Sequence, residues 1–274
     1  MNEANRNLVL RVISAAVLAP PVVLLIFWRR PEGTALLVHL ACALALVEFY
    51  GITLKDRPAW LRGLGVLLGV GVSATMVWAP KPELLNAALV GSMLVLALAQ
   101  LVHLGDIRTA GSSLALLVMG LLYVPLLLTP LALLKKFPDG ASWIVLVLTI
   151  TWFADTGAYF AGRALGRHKL YPAVSPGKTV EGAVGGLLAS FGAAALAKAW
   201  YLPSLSWLDA AAISLPASAL GQAGDLVESM LKRAYQVKDS GRLIPGHGGL
   251  LDRIDALLFC APYVYLYARY VIYR

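Results

Sequence analysis

The chain has 274 residues, of which 59% are hydrophobic and 14% charged, with a formal net charge of +8 and a mean hydropathy of +0.74. Soluble domains carry about 25% charged residues. So little polar surface excludes a soluble globular domain of this size and implies a polytopic membrane protein, all-α because lipid leaves open backbone groups unsatisfied.

Counting roughly 20 apolar residues per span, nine spans are expected, near 8–28, 33–54, 61–79, 84–104, 112–134, 141–162, 182–201, 207–224 and 254–273. The first follows Arg6 and Arg11 like a signal peptide. Arg29, Arg30 and Pro31 stand where small residues would mark cleavage, so it reads as a retained span. The second holds His39, Cys42 and Glu48; Glu48 is an intramembrane acid with no obvious partner. Cys42 and Cys260 both lie in apolar segments and read as small core residues, not as half of a disulfide or a metal site. His39 and His103 read as interfacial or core histidines. Gly65 with Gly69, and Gly182 with Gly186, have the small-xxx-small spacing of helix packing or a homodimer. With the N-terminus inside, fifteen of the 23 Lys and Arg fall on the cytoplasmic side. An apolar region, 1–140, precedes a region, 141–274, that concentrates polar chemistry in two cytoplasmic segments, 163–181 and 225–253.

The sixth span contains TWFADTGAYFAGR. Asp155 there is costly in lipid and faces a partner or a polar cavity. A packing pair with an arginine is the plainer alternative. Gly157, Gly162 and Gly166 admit close approach of backbone or ligand. Next comes SPGKTVEG, 175–182. Its GKT is not a phosphate-binding loop of the Walker type, because Pro172 occupies the position of the first glycine and no strand precedes it. What remains is a turn followed by Lys178 and Thr179 at a helix start. That is either an anion site or a helix cap with a snorkelling lysine.

In GDLVESMLKR, 224–233, a helix puts Asp225, Glu228, Ser229 and Lys232 on one stripe beside Arg233. Two carboxylates and an ammonium suit a metal–phosphate site, although for an isolated helix a solvated face with internal ion pairs is the better explanation. Residues 245–249, PGHGG, cannot form a regular helix, and DRID then restarts one with Asp252 and Asp255 at i and i+3. Carboxylates flanking a Gly-His-Gly-Gly turn could close on a metal bound to a triphosphate.

The run SMLKRAYQVKDSGRLIPGHGGLLDRID, 229–255, resembles the signature of the phosphatidate cytidylyltransferases. The family pattern is matched by Ser229, Lys232, Arg233, Lys238, Asp239, Pro245, His247, Gly248, Gly249, Asp252, Arg253 and Asp255. Asp155 in ADTGAY, SPGKTVEG and GDLVES resemble the family as well, so the likeness is specific over about 151–255. It implies transfer of CMP from CTP to phosphatidate, giving CDP-diacylglycerol and pyrophosphate with Mg²⁺. It also implies a site at the cytoplasmic face of a bacterial inner membrane, among membrane lipids and with no nucleic acid. In that reading Asp225 and Asp252 are the first metal ligands, with Glu228 and Asp255 beside them, and Asp155 anchors the floor or holds a second cation. Lys232, Arg233, Lys238 and Arg253 hold phosphate oxygens. Ser175, Lys178, Thr179 and Glu181 bind CTP. His247 donates to pyrophosphate, and Asp239, Ser229, Gly248 and Gly249 complete the site. Rival readings are a CTP-using polyprenol kinase, an archaeal-type CDP-lipid synthase, and a transporter relaying ions through Glu48 and Asp155.

Overall fold

A computed structural model describes residues 3–244, 246 and 248–274, without the side chains of 3–8, 11 and 15. Pro245 and His247 lie outside the described residues. Helices run α1 (Glu3–Phe27), α2 (Pro31–Thr53), α3 (Ala59–Trp78), α4 (Pro82–Val102), α5 (Ile107–Leu128), α6 (Pro130–Leu134), α7 (Gly140–Leu165), α8 (Val180–Trp200), α9 (Trp207–Ala234) and α10 (Leu251–Tyr267), with a short π-helical end at Ala268–Ile272. An antiparallel hairpin, β1 (Lys169–Tyr171) and β2 (Ser175–Thr179), interrupts the helices.

Six helical stretches among the described residues are long and apolar enough to cross a membrane: α2, α3, α4, α5 continued through α6, α7 and α8. The fold is that of an all-α polytopic membrane protein. The other three expected spans differ in kind. α1 offers the shorter apolar stretch Val12–Phe27. α9 is long, at 28 residues, but its last turns carry Asp225, Glu228, Lys232 and Arg233. α10 has 17 residues before the chain changes to π-helical pitch. Polar residues expected in the 225–253 segment are therefore partly helical, because 225–234 simply continue α9.

The chain forms two compact units, Met1–Ala132 with Val237–Arg253, and Leu133–Gln236 with Ile254–Arg274. In the first, Tyr50 of α2 is fully buried and its hydroxyl donates to the Leu117 carbonyl at 2.8 Å. Gly65 of α3 and Gly120 of α5 make room for its ring: a Cβ would stand 2.7 Å and 2.5 Å from ring carbons. Gly69 likewise admits the buried Leu46. The Gly65–Gly69 spacing thus serves packing within the chain. Arg57 sits beyond the end of α2, 9% exposed, and ties down the start of α5. It donates from Nε to Ser113 Oγ at 2.8 Å, from Nη2 to Thr109 Oγ1 at 2.9 Å and from Nη1 to the Leu104 carbonyl at 3.2 Å. His39 Nδ1 lies 3.0 Å from Ser73 Oγ, a core contact.

In the second unit α7 and α8 meet along a seam of small residues. A Cβ on Gly182 would come 2.9 Å from the Ala158 carbonyl, and one on Gly186 2.9 Å from that of Ala154. Gly157 faces Ala189 and the Gly185 carbonyl in the same way. Such close backbone approach is how apolar helices associate where lipid supplies no hydrophobic drive. Cys42 and Cys260 are free and buried, as expected of core residues.

Candidate functional site

The second unit contains a cavity of about 390 Å³ lined by the C-terminal part of α7, the hairpin, the first turn of α8, and Gln222 and Asp225 of α9. The volume is in the range of small-molecule sites, ~300–1,000 Å³. Both signs of charge face it: Asp155 and Asp225, Arg163 and Lys178. Lys178 Nζ lies 2.6 Å from Asp225 Oδ2, with the two side chains 26% and 33% exposed. Asp225 Oδ1 accepts from Ser229 Oγ at 3.3 Å. Asp255 of α10, half-buried, faces the charges of Asp225, Asp155 and Lys232.

The hairpin and α8 place Lys178. Thr179 caps α8, its Oγ1 accepting from the Gly182 N–H at 3.1 Å. Glu181 folds back across 13 or 14 residues of chain. It accepts from the Arg167 and His168 N–H groups at 3.1 and 3.2 Å, and its Oε1 lies 2.6 Å from His168 Nδ1. Lys169 donates to the Pro176 carbonyl at 2.8 Å, closing the hairpin. The turn expected at 175–178 with no strand before it is instead strand β2 paired with β1, and Lys178 projects from this braced hairpin beside a capped helix N-terminus, whose N–H groups and dipole favour an anion. Thr179 does the capping, and Lys178 lines the cavity. Ser175 starts β2 and is half-buried.

On α9 the expected stripe forms, half-buried at Asp225, Ser229 and Lys232 and fully buried at Glu228. Glu228 is 1% exposed and pairs with Lys232 Nζ at 2.8 Å. Arg233 reaches the Val174 carbonyl with a long 3.5 Å contact. Among the described residues no group of three or more His, Cys, Asp or Glu side chains is disposed to hold a metal. Mg²⁺ commonly takes one or two carboxylates and completes its shell with water and substrate phosphates. Asp155 and Asp225 on one cavity, with Asp255 close enough to feel both, fit that habit.

Most of the signature run belongs to the first unit. Ile244 and Gly248 pair in a bridge, and Gly246 and Gly248 take φ of 77° and 84°, left-handed values that favour glycine. Asp252 Oδ2 accepts from the Ser240 N–H at 2.8 Å and the Gly249 N–H at 3.0 Å. The Asp252 N–H in turn donates to Ser240 Oγ at 3.2 Å. Lys238, Asp239 and Arg253 are exposed. His247, expected to assist pyrophosphate, falls outside the described residues.

Glu48 has no partner legible in the sequence, and the structure gives it several. The carboxylate, 9% exposed, accepts from the Leu250 N–H at 3.0 Å, the Leu251 N–H at 2.8 Å and Ser240 Oγ at 3.2 Å. The only sequence signal is an acid inside a span; its partners are some 200 residues away. Gln222, which no motif singles out, lines the cavity and donates to the Ala183 carbonyl at 3.2 Å.

Known proteins share much of this sequence. Over 126 residues the chain is 45% identical to a phosphatidate cytidylyltransferase of Bacillus subtilis, covering 46% of this chain and 47% of the relative. Over 125 residues it is 46% identical to one of Staphylococcus haemolyticus, covering 45% and 48%. Over 124 residues it is 45% identical to one of Staphylococcus saprophyticus, again 45% and 48%. The matched region spans about half the length of these relatives. A model of the Cytidylyltransferase family, by contrast, matches residues 9–271, nearly the whole chain, and the chain belongs to that family.

Proposed function

We propose that the chain is a phosphatidate cytidylyltransferase, joining CTP and phosphatidate into CDP-diacylglycerol and pyrophosphate at the cytoplasmic face of a bacterial membrane. The observation that carries the reading is the cavity beside the α8 N-terminus, where Lys178 lies 2.6 Å from Asp225 and shares the space with Asp155 and Arg163. Cations there receive phosphate oxygens, and the carboxylates remain available to a divalent ion.

In this reaction a phosphate oxygen of the lipid attacks the α-phosphorus of CTP. A new P–O bond forms, the bond from the α-phosphorus to the bridging oxygen breaks, and pyrophosphate leaves with the electron pair. A phosphate monoester is already largely dianionic at neutral pH, so no general base and no covalent enzyme intermediate are needed. The protein's part is positioning and charge. Lys178 exchanges Asp225 for a nucleotide phosphate. Arg163, which lines the same cavity, takes a second; the family resemblance gives Lys238 and Arg253 of the signature run a phosphate-holding role. Asp225, with Asp155 and Asp255, would hold a Mg²⁺ ion, which would supply positive charge to the triphosphate. Lys232 keeps Glu228 neutralised beneath this acidic group. Asp252, its Oδ2 committed to two loop amides, shapes the signature turn.

The test is transfer of label from α-labelled CTP into dioleoyl phosphatidate by the detergent-purified protein, with Mg²⁺ and with EDTA. Mg²⁺-dependent label in the lipid phase with released pyrophosphate supports the reading. Phosphorylated lipid with CDP as co-product instead makes the chain a kinase.

A further inference from the structure

Glu48 is a buried acid in a helix long and apolar enough to cross the membrane, where an ionised carboxylate is costly unless donors surround it. Among the described residues its donors all come from the signature segment. They are the N–H groups of Leu250 and Leu251, which open α10, and the Ser240 hydroxyl. A carboxylate on a helix's first N–H groups also meets the positive end of its dipole. The segment has left room for it: a Cβ on Gly249 would stand 2.7 Å from Glu48 Oε2, and one on Gly241 would collide with Oε1. Ser240 links the two acids, donating to Glu48 and accepting from the Asp252 N–H, while Asp252 accepts from Ser240 and Gly249. Two carboxylates therefore clamp one turn, Glu48 from α2 and Asp252 from within the turn.

We propose that Glu48 is a positioning residue for the transfer reaction, holding the turn between Lys238 and Arg253 in the shape in which its charged side chains meet substrate phosphate. The inference rests on the proposed function for its catalytic consequence, but not for the contact itself. Glu48→Gln keeps the size of the side chain and replaces one accepting oxygen by an amide that faces a donor. Hydrogen exchange of the purified full-length protein is read at the peptide covering 249–252. Steady-state kinetics with CTP and dioleoyl phosphatidate run beside it. The expected result is exchange faster by about tenfold or more at Leu250 and Leu251. In kinetics, kcat falls by about tenfold or more while KM for CTP stays within about threefold, with a thermal midpoint close to wild type. Unchanged exchange, or kcat within about threefold of wild type despite faster exchange, overturns the proposal. If Glu48→Gln does not fold, Gly241→Ala displaces the same carboxylate from the loop side and is judged by the same two readouts. A wild-type protein inactive on phosphatidate sinks the function, not the contact, because the exchange arm needs no substrate: lost protection then upholds the clamp and retained protection overturns it.

Discussion

The pairing of Lys178 with Asp225 makes opposite demands on the two residues, and two substitutions separate them. The ammonium is neutralised by the carboxylate at 2.6 Å. In the proposed reaction CTP displaces that contact to gain Lys178. Both side chains retain about a quarter to a third of their exposure, so the pair lies between the surface and buried limits. An interaction on the order of 1 kcal/mol is then reasonable. Asp225→Asn removes that competition, so metal-free CTP should bind about fivefold more tightly. The same change removes a proposed Mg²⁺ ligand, and Mg²⁺-dependent kcat should drop by about a hundredfold or more. Lys178→Met keeps the length of the stem and loses the charge. It should weaken metal-free binding and lower kcat/KM by about 10²–10³-fold, the usual cost of removing one donor to developing charge. Calorimetric titration with CTP in EDTA reads the binding; label transfer into lipid reads the turnover. If both variants move metal-free binding in the same direction, or if Asp225→Asn keeps kcat within about threefold of wild type, the assignment of the cavity fails.

Three further outcomes follow from the geometry. Glu181→Gln cannot accept from the Arg167 and His168 N–H groups and His168 Nδ1 together, so the hairpin bearing Lys178 should loosen; KM for CTP should rise by about threefold or more with kcat less affected, as kinetics with varied CTP will show. Asp252→Asn retains an oxygen that can accept from Ser240 and Gly249; if charge at this position matters beyond the brace, kcat should fall about a hundredfold with normal exchange protection of the turn, and full activity would limit Asp252 to shaping the loop. Gly120→Ala drives a methyl into the Tyr50 ring and should cost about 1–3 kcal/mol of stability, visible as a lowered thermal midpoint in detergent.

Local features of the chain are legible in its sequence. Hydropathy, which marks nine candidate spans, includes among them the six helical stretches that are apolar and long enough to span a membrane, because the cost of unsatisfied backbone in lipid forces each to be a helix. The glycines of the signature turn announce positive φ, and two of them, Gly246 and Gly248, have it. The i, i+3, i+4, i+7 spacing puts Asp225, Glu228, Ser229 and Lys232 on one stripe, and Glu228 does pair with Lys232. All of these depend on neighbours within a turn or two, where spacing alone decides who meets whom.

What the tertiary structure decided are the meetings between distant residues and the burial that gives them weight. Nothing in ALVEFYG says that Glu48 accepts from Leu250 and Leu251, or that Gly241 and Gly249 are small to admit it. Nor does SPGKTVEG say that Glu181 is spent on bracing a hairpin while Lys178 reaches Asp225, 47 residues on. The glycines at 65 and 69, legible as a packing motif, could not name their occupants, Tyr50 and Leu46. Composition and periodicity determine which segments are helices and which faces are polar. Partner choice across the fold is set by close packing and by the need of each buried polar group for a donor or acceptor, and these conditions are met only once the helices are in place.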